Sequence, residues 1–259
     1  MKVIVTSGGT SEKIDDVRTI TNMSTGRLGS LIANSFYNID ENIEIIYICS
    51  GSAVLPDIPC SIVKINSAIE LKESLETILA NQKIDAVIHA MAVSDYYVSG
   101  LCNLEKIISR VSENLYNYKE SLKSSVDISN MIKTEIAENN IDAKEQKKIH
   151  SDIDDLIIFM KKTPKVINII KKLQPKTILV GFKLLVNVSE EKLLEVGTNL
   201  LIKNKCDFVL ANDLNNISKD YHKGILINSD STYVHLESKD EIAKAITQNV
   251  VTKIRGEKD

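Results

Sequence analysis

Strand-like and helix-like spacings alternate along nearly the whole chain, and this limits the possible folds more than any other feature. Lys2–Ser7 is a β-branched run that ends in Gly8-Gly9, and Thr25–Asn38 then places Leu28, Leu31, Ile32 and Phe36 at helical intervals. Ile43–Cys49 and Ser61–Ile65 read as the next strands. Ser67, with Glu70 three residues on, reads as a capping box that opens a helix to about Asn81. Asp85–His89 is a fourth strand. Strands that alternate with helices of about 10–15 residues build βαβ units, whose crossovers force a parallel sheet. The expected fold class is α/β, doubly wound, with a mostly parallel sheet.

From about Gly100 to Lys147 the rhythm lapses into a polar stretch rich in Asn, Glu, Lys and Ser. It reads as a partly helical, mobile flap or lid inserted at about 100–150 into a single domain spanning 1–259. A surface helical hairpin with no role is the alternative. The α/β rhythm then resumes with a strand at Leu156–Met160, a helix at Pro164–Leu173 opening with its proline near the first turn, and a strand at Thr177–Lys183. Ser189–Lys203 is a helix capped by Ser189, and Asp207–Asn212 is a strand. Gly224–Asn228 and Thr232–Leu236 flank Ser229-Asp230-Ser231 as a C-terminal hairpin, and Lys239–Arg255 is a closing amphipathic helix.

Composition narrows the class. With 259 residues and 43% apolar content the chain can bury a core without disulfides or metal. Its net charge of −3, with basic residues spread throughout, argues against a dedicated nucleic-acid surface. Cys49, Cys60, Cys102 and Cys206 form no CxxC pair, so neither a zinc site nor a disulfide framework is expected. No apolar stretch approaches the ~20 residues that span a bilayer, and the first residues lack signal-peptide anatomy. The expectation is a soluble cytoplasmic protein with no membrane partner.

Several segments could carry chemistry. Ser7-Gly8-Gly9-Thr10 follows the first strand, where a glycine turn can bring backbone N–H groups to a phosphate. It is not a Walker A loop, since no GxxxxGK[ST] occurs. Nor is it a dinucleotide fingerprint, since GxGxxG is absent and the second strand ends in Cys49-Ser50 without a carboxylate. None of the eight tyrosines has a lysine four residues later, which disfavours hydride transfer as well. Asp15–Gly29 holds two of the chain's four arginines, Arg18 and Arg27, among Asn22 and the small residues Ser24-Thr25-Gly26. That mixture suits an anion or polar-ligand site leading into a helix N-terminus. Gly26 and Gly29 would let the helix sit close to a ligand or to neighbouring backbone. In His89-Ala90-Met91-Ala92-Val93-Ser94-Asp95, small residues can line a nucleotide pocket and Asp95 can hold a ribose or Mg2+, whereas His89 reads more simply as a packed strand residue. Phe182 could stack on a base or serve the core, and Asn212 and Asp213 could form a turn.

The combination SGGTSEKIDDVRTITNMSTGRLG, HAMAVSDY, KKTPKV, GFKLL and LIKNKCDFVLANDL resembles phosphopantothenoylcysteine synthetase, and more specifically its free-standing bacterial form. The resemblance runs from Met1 to the final helix in the family's order. It implies a Rossmann-like ligase domain of coenzyme A biosynthesis, cytoplasmic and homodimeric. CTP, accompanied by Mg2+, would activate 4′-phosphopantothenate as an acyl-cytidylate with loss of pyrophosphate. L-cysteine would then attack to give 4′-phosphopantothenoyl-L-cysteine and CMP. ATP replaces CTP in the family's eukaryotic branch.

By that resemblance Asn22 holds the acyl-nucleotidylate, and Arg18 contacts the phosphopantothenate side, with Ala92 and Asn212 as further substrate contacts. Gly8, Gly9, Thr10, Ser24 and Gly26 form the phosphate loops. His89, Ala90, Met91, Asp95, Pro164, Lys165, Val166, Phe182 and Lys203 match nucleotide contacts, with Asp95 near ribose or metal. The family's Pro-x-Lys-Ile-Lys-Lys motif has no clean copy. Lys148, in Lys148-Ile149-His150-Ser151, stands in for its catalytic lysine, with Lys147 as the rival. Two other readings follow from that departure and from the glycine turn: a non-catalytic nucleotide-binding regulator of the same fold, and an NAD(P)-dependent oxidoreductase, already weakened by the missing fingerprints.

Overall fold

The computed structural model describes residues 1–138, 149, 153–218 and 221–256. The chain forms two compact units. The larger comprises Met1–Thr10, Thr21–Ser94 and Pro164–Asp259, the smaller Ser11–Ile20 and Asp95–Thr163.

The larger unit is built on an eight-stranded sheet. Its strands are β1 (Lys2–Ser7), β4 (Glu44–Ser50), β5 (Ser61–Ile65), β6 (Ala86–His89), β9 (Ile178–Leu185), β10 (Phe208–Asp213), β11 (Gly224–Asn228) and β12 (Tyr233–Leu236). They lie in the order β12-β11-β10-β9-β6-β1-β4-β5. The six strands from β5 to β10 are parallel, and β11 and β12 add the antiparallel hairpin. The parallel strands are near-continuous apolar runs because helices cover both faces. Helices α1 (Arg27–Ile39) and α7 (Lys239–Gly256) pack Phe36, Ile32, Ile246 and Val250 on one face against Val3, Val5, Ile88 and Val180. On the other face α2 (Ala68–Asn81), α5 (Ile167–Leu173) and α6 (Glu190–Asn204) pack Leu71, Leu75, Ile170 and Leu193 against Ile4, Ile48, Val87 and Leu179. The doubly wound, mostly parallel sheet is therefore as expected.

The caps carry small corrections. The Ser67 hydroxyl accepts the Glu70 N–H, as a capping box requires, but the Glu70 carboxylate takes the N–H of Asn66 at 2.8 Å. Pro164 does not lie in the first turn of α5. The chain enters that helix through i→i−3 bonds from Asn168 to Lys165 and from Ile169 to Val166, so regular helix begins only at Ile167. Helix α1 starts at Arg27, not Thr25, because Gly26 turns the chain with φ +73°.

In the smaller unit β7 (Tyr96–Asn103) pairs antiparallel with β8 (Leu156–Lys162), with a bulge between Val98 and Gly100. The strand expected to return to the main sheet at Leu156–Met160 is thus a member of a separate ribbon. Its partner β7, broken by Gly100, gave no clear alternation in the sequence. Helices α3 (Leu104–Asn117) and α4 (Ser125–Glu138) form a hairpin in the polar stretch, α3 capped by the Asn103 side chain on the Lys106 N–H. Two short strands, β2 (Ser11–Lys13) and β3 (Thr19–Thr21), pair with each other. No described helix is long and apolar enough to cross a membrane.

Candidate active site

Reading outward from β5, the six parallel strands have the order 3-2-1-4-5-6, so connections leave β1 in one direction and β6 in the other. The crevice beyond the carboxyl ends of β1 and β6 is the point where such sheets bind ligands. The segments that follow these two strands are stitched together there. Ala92 donates its N–H to Gly8 O at 2.9 Å and accepts the Thr10 N–H at 3.0 Å. Thr10 Oγ1 accepts the Ser94 N–H at 2.9 Å. Asn22 joins them, its backbone N–H on Thr10 O at 3.1 Å and its side-chain amide on Ala92 O at 3.3 Å.

The glycines serve close approach between protein segments. Gly8 has φ +87°, and a Cβ there would overlap Ser50 Oγ and stand 2.9 Å from the Ala53 methyl. A Cβ on Gly9 would run into the Asn22 carbonyl, and one on Gly29 into Ser7 Oγ. Of the two reasons for Gly26 and Gly29, neighbouring backbone and side chains account for Gly29. At Gly26 the carbonyl accepts the Ser7 hydroxyl at 2.8 Å; the glycine brings no capping side chain, and Thr25 Oγ1 reaches only the Arg27 N–H, at 3.4 Å, which leaves the N–H groups of Leu28 and Gly29 uncapped. The first turn of α1 holds no acidic residue either, so its N–H groups and the positive end of its dipole suit an anion. Ser50 Oγ adds a second polar group. It is buried, faces Gly8 and has no hydrogen-bond partner among the described residues. Uncapped N–H groups, an unmatched hydroxyl and two glycines with positive φ fit a phosphate-bearing ligand.

His89 closes β6 with its ring buried, and burial lowers its pKa to about 4. It is neutral near pH 7 and packed, in line with the simpler reading of this residue. Met91 is buried against the α2 face. Phe182, half-buried in β9, packs on the α1 side of the core. Asn212 is buried at the end of β10 with its amide nitrogen 2.7 Å from His222 Nε2. Asp213 accepts the N–H groups of Asn187, Val188 and Asn215, which lower its pKa. Lys203 sits elsewhere. Helix α6 runs back from the end of β9 to the start of β10, so its last turn lies at the amino ends of the strands. Lys203 is thereby carried away from Gly8, Asn22 and Ala92. Pro164, Lys165 and Val166 form the turn into α5, with Val166 buried.

In the smaller unit Arg18 is fixed by an ion pair with Asp15 at 3.1 Å and by donation to Ile149 O at 3.0 Å. Asp95 precedes β7, its carbonyl accepting the Thr163 N–H. Lys147 and Lys148 lie outside the described residues. Among the described residues no group of three or more His, Cys, Asp or Glu could hold a metal ion, and a Mg2+ that arrives on a nucleotide needs no such cage. All four cysteines are free thiols. The sequence marked neither Ser50 nor Thr6 as a functional neighbour, and it marked Asp15 only as the first residue of the arginine-bearing segment. Ser50 was visible only as a strand end lacking a carboxylate.

Comparison with known proteins decides the family. The model of the DNA/pantothenate metabolism flavoprotein C-terminal domain matches residues 1–135 and 111–254. The chain belongs to this family. It is 28% identical over 229 residues to the coenzyme A biosynthesis bifunctional protein CoaBC of Thermococcus kodakarensis, covering 88% of this chain and 45% of that protein. The CoaBC of Methanocaldococcus jannaschii is 24% identical, covering 96% of this chain and 50% of the relative. The chain thus spans about half the length of these curated relatives. The crystal structure of the DNA/pantothenate metabolism flavoprotein from Streptococcus pneumoniae superposes with a TM-score of 0.78 at 32% identity, covering 98% of this chain and 99% of that one.

Proposed function

We propose that this member of the DNA/pantothenate metabolism flavoprotein C-terminal domain family is a phosphopantothenate–cysteine ligase. CTP activates the carboxylate of 4′-phosphopantothenate: the carboxylate oxygen attacks the α-phosphorus, pyrophosphate leaves, and an acyl-cytidylate remains. The amine of L-cysteine then attacks the acyl carbon and expels CMP, leaving the amide. A carboxylate is a poor acyl donor, so the nucleotide supplies the leaving group, and the protein's task is chiefly positioning and charge stabilisation.

The observation that carries this reading is the lacing of Asn22 onto the glycine cradle. Its amide nitrogen, 3.3 Å from Ala92 O, stands among the segments that follow β1 and β6, where it can donate to an acyl-phosphate held by the cradle. Gly8, Gly9, Thr10, Ser24, Gly26 and the α1 N-terminus take the phosphates. His89, Ala90, Met91 and Phe182 line the nucleotide, and Arg18 takes an anionic group of the acid. Lys148 supports nucleotidylate formation, and Asp95 serves the ribose or the Mg2+ on CTP. The enzyme works as a homodimer in the cytoplasm.

The test follows pyrophosphate release from CTP or ATP with 4′-phosphopantothenate, with and without L-cysteine. Turnover with CTP that needs cysteine is the expected result. Better turnover with ATP would keep the ligase and overturn the nucleotide. No release from folded protein that binds CTP would favour the non-catalytic regulator.

A further inference from the structure

Arg18 is held by a cluster that the proposed reaction does not itself explain. The Asp15 carboxylate is completely buried. Oδ1 accepts the N–H groups of Val17 at 2.9 Å and Arg18 at 2.7 Å, so the carboxylate closes the turn that it begins. Oδ2 accepts the N–H of Ile149, 134 residues away, at 3.1 Å, and pairs with Arg18 Nη2 at 3.1 Å. The same Nη2 donates to Ile149 O at 3.0 Å. Both main-chain polar groups of Ile149 are therefore clasped, one by Asp15 and one by Arg18. The Ile149 side chain is buried in a small apolar cluster with Val98, Leu101, Ile14 and Ile20. The main-chain bond from Ile149 does most to hold the Asp15 pKa below its ordinary value, against the opposing effect of burial, with Val17, Arg18 N–H and the Arg18 charge adding to it.

The consequence falls on the guanidinium. The two Nη2 protons are committed to Asp15 and Ile149, which fixes the plane of the fork. Nη1 and Nε take no part in these bonds, and the side chain remains 46% exposed. A free arginine gives up about 2 kcal/mol of rotamer entropy when it is immobilised. Here the fold has already taken that cost, so a ligand meeting Nη1 or Nε does not.

We infer that Asp15 is a positioning residue: with the Ile149 main chain it presets Arg18 to receive an anionic group of the acid substrate. The inference rests on the reading of Arg18 as a substrate contact. An aspartate that merely stabilised the turn would change folding and all kinetic constants alike, whereas a positioning residue acts on one substrate through one partner.

Steady-state rates are measured with 4′-phosphopantothenate varied and CTP and L-cysteine saturating, for wild type, Arg18→Gln, Asp15→Asn and the double variant. Each single substitution is expected to raise the KM for 4′-phosphopantothenate roughly ten- to a hundredfold and to leave the KM for CTP unchanged. The double variant is expected to be no worse than Arg18→Gln alone. Multiplying effects, or an Asp15→Asn enzyme with an unchanged KM for the acid, would overturn the positioning role while keeping Arg18 as a contact. An unchanged KM in Arg18→Gln would remove the reading beneath it. If Asp15→Asn does not fold, Asp15→Glu, which keeps the charge and moves it by one methylene, takes its place with the same expectations.

Discussion

The Thr6 hydroxyl stands 3.1 Å from Nδ1 of His89 and accepts the Met91 N–H at 3.2 Å, joining two adjacent parallel strands at their carboxyl ends. With Met91 donating to it, the hydroxyl keeps its own proton and one acceptor site, so it meets either tautomer of the neutral ring at Nδ1. The strand that carries the glycine turn and the strand that carries Ala92 are thus joined by side chains as well as by the ladder.

A pH dependence of stability follows. His89 titrates near its ordinary 6.5 in the unfolded chain, and burial holds it at about 4 in the fold. As pH falls below 6.5 the unfolded chain takes up the proton first, so the stabilisation is complete above that value and drains away towards pH 4. The loss is on the order of 3 kcal/mol. Burial, and then the charge of Lys239, push His222 to about 4 as well, adding a second proton over the same window. Denaturant midpoints between pH 7.5 and 4.5 should fall steeply, and His89→Gln should flatten the slope. An unchanged slope in that variant would place the linkage elsewhere.

Ser50 and Gly8 separate ligand binding from folding. Removing a buried hydroxyl that lacks a partner among the described residues relieves a desolvation cost, so Ser50→Ala should equal wild type in stability or exceed it by up to about 1 kcal/mol. The same change should weaken CTP binding about tenfold if the hydroxyl takes a phosphate oxygen. Gly8→Ala should lose both, since a φ of +87° costs a side chain about 1–2 kcal/mol before any overlap with Ser50. Calorimetric titration with CTP beside thermal unfolding reads both quantities. Ser50→Ala with wild-type affinity would exclude the hydroxyl as a ligand.

What the sequence could disclose depended on how local the cause was. The parallel strands and their helices were legible because apolar periodicity and caps such as Ser67 and Ser189 are set within a few residues. The ribbon of β7 and β8 was not, because its pairing joins residues some sixty positions apart and Gly100 interrupts the pattern. The glycine cradle was legible as a motif, but the reason for Gly9 was not, since it is small to admit the Asn22 carbonyl; close approach at Gly29 was legible, though not that Ser7 is what it meets. Lys203 shows how motif order and fold direction carry different information. Motif order attached it to the nucleotide, whereas the direction of α6 carries it to the other end of the strands.

Asn22 should matter to chemistry far more than to folding. Its backbone N–H bond to Thr10 O survives any side-chain change, so Asn22→Ala should cost at most about 1 kcal/mol of stability, the worth of the long amide contact to Ala92 O. If the amide steadies the acyl-nucleotidylate, its loss should slow amide formation about 10²–10³-fold. Pyrophosphate release in a single turnover should be less affected. Quenched-flow separation of the two steps is the check, and equal slowing of both would assign Asn22 to binding alone.

Asp207 offers the reverse case, a charged cluster remote from the candidate site. It lies just before β10, at the amino ends of the strands, with Lys171 Nζ and Lys253 Nζ each at 2.7 Å and the Leu179 N–H at 2.9 Å. Burial works to raise its pKa, but the hydrogen bonds from Lys171, Lys253 and Leu179 prevail and lower it. A lowered carboxylate pKa contributes stability that is complete at neutral pH and is lost only as pH falls through the folded value, below the ordinary 3.8. Asp207→Ala would leave two ammonium groups facing each other across a half-closed space. The cost should be about 2–3 kcal/mol, less than for a sealed ion pair because the carboxylate is still 14% exposed. Because the cluster ties α5 and α7 to the far end of the sheet, the folded variant should keep wild-type kcat and KM for all three substrates. Urea unfolding beside steady-state kinetics tests both halves, and a kinetic defect in fully folded Asp207→Ala would show that the two ends of the sheet communicate.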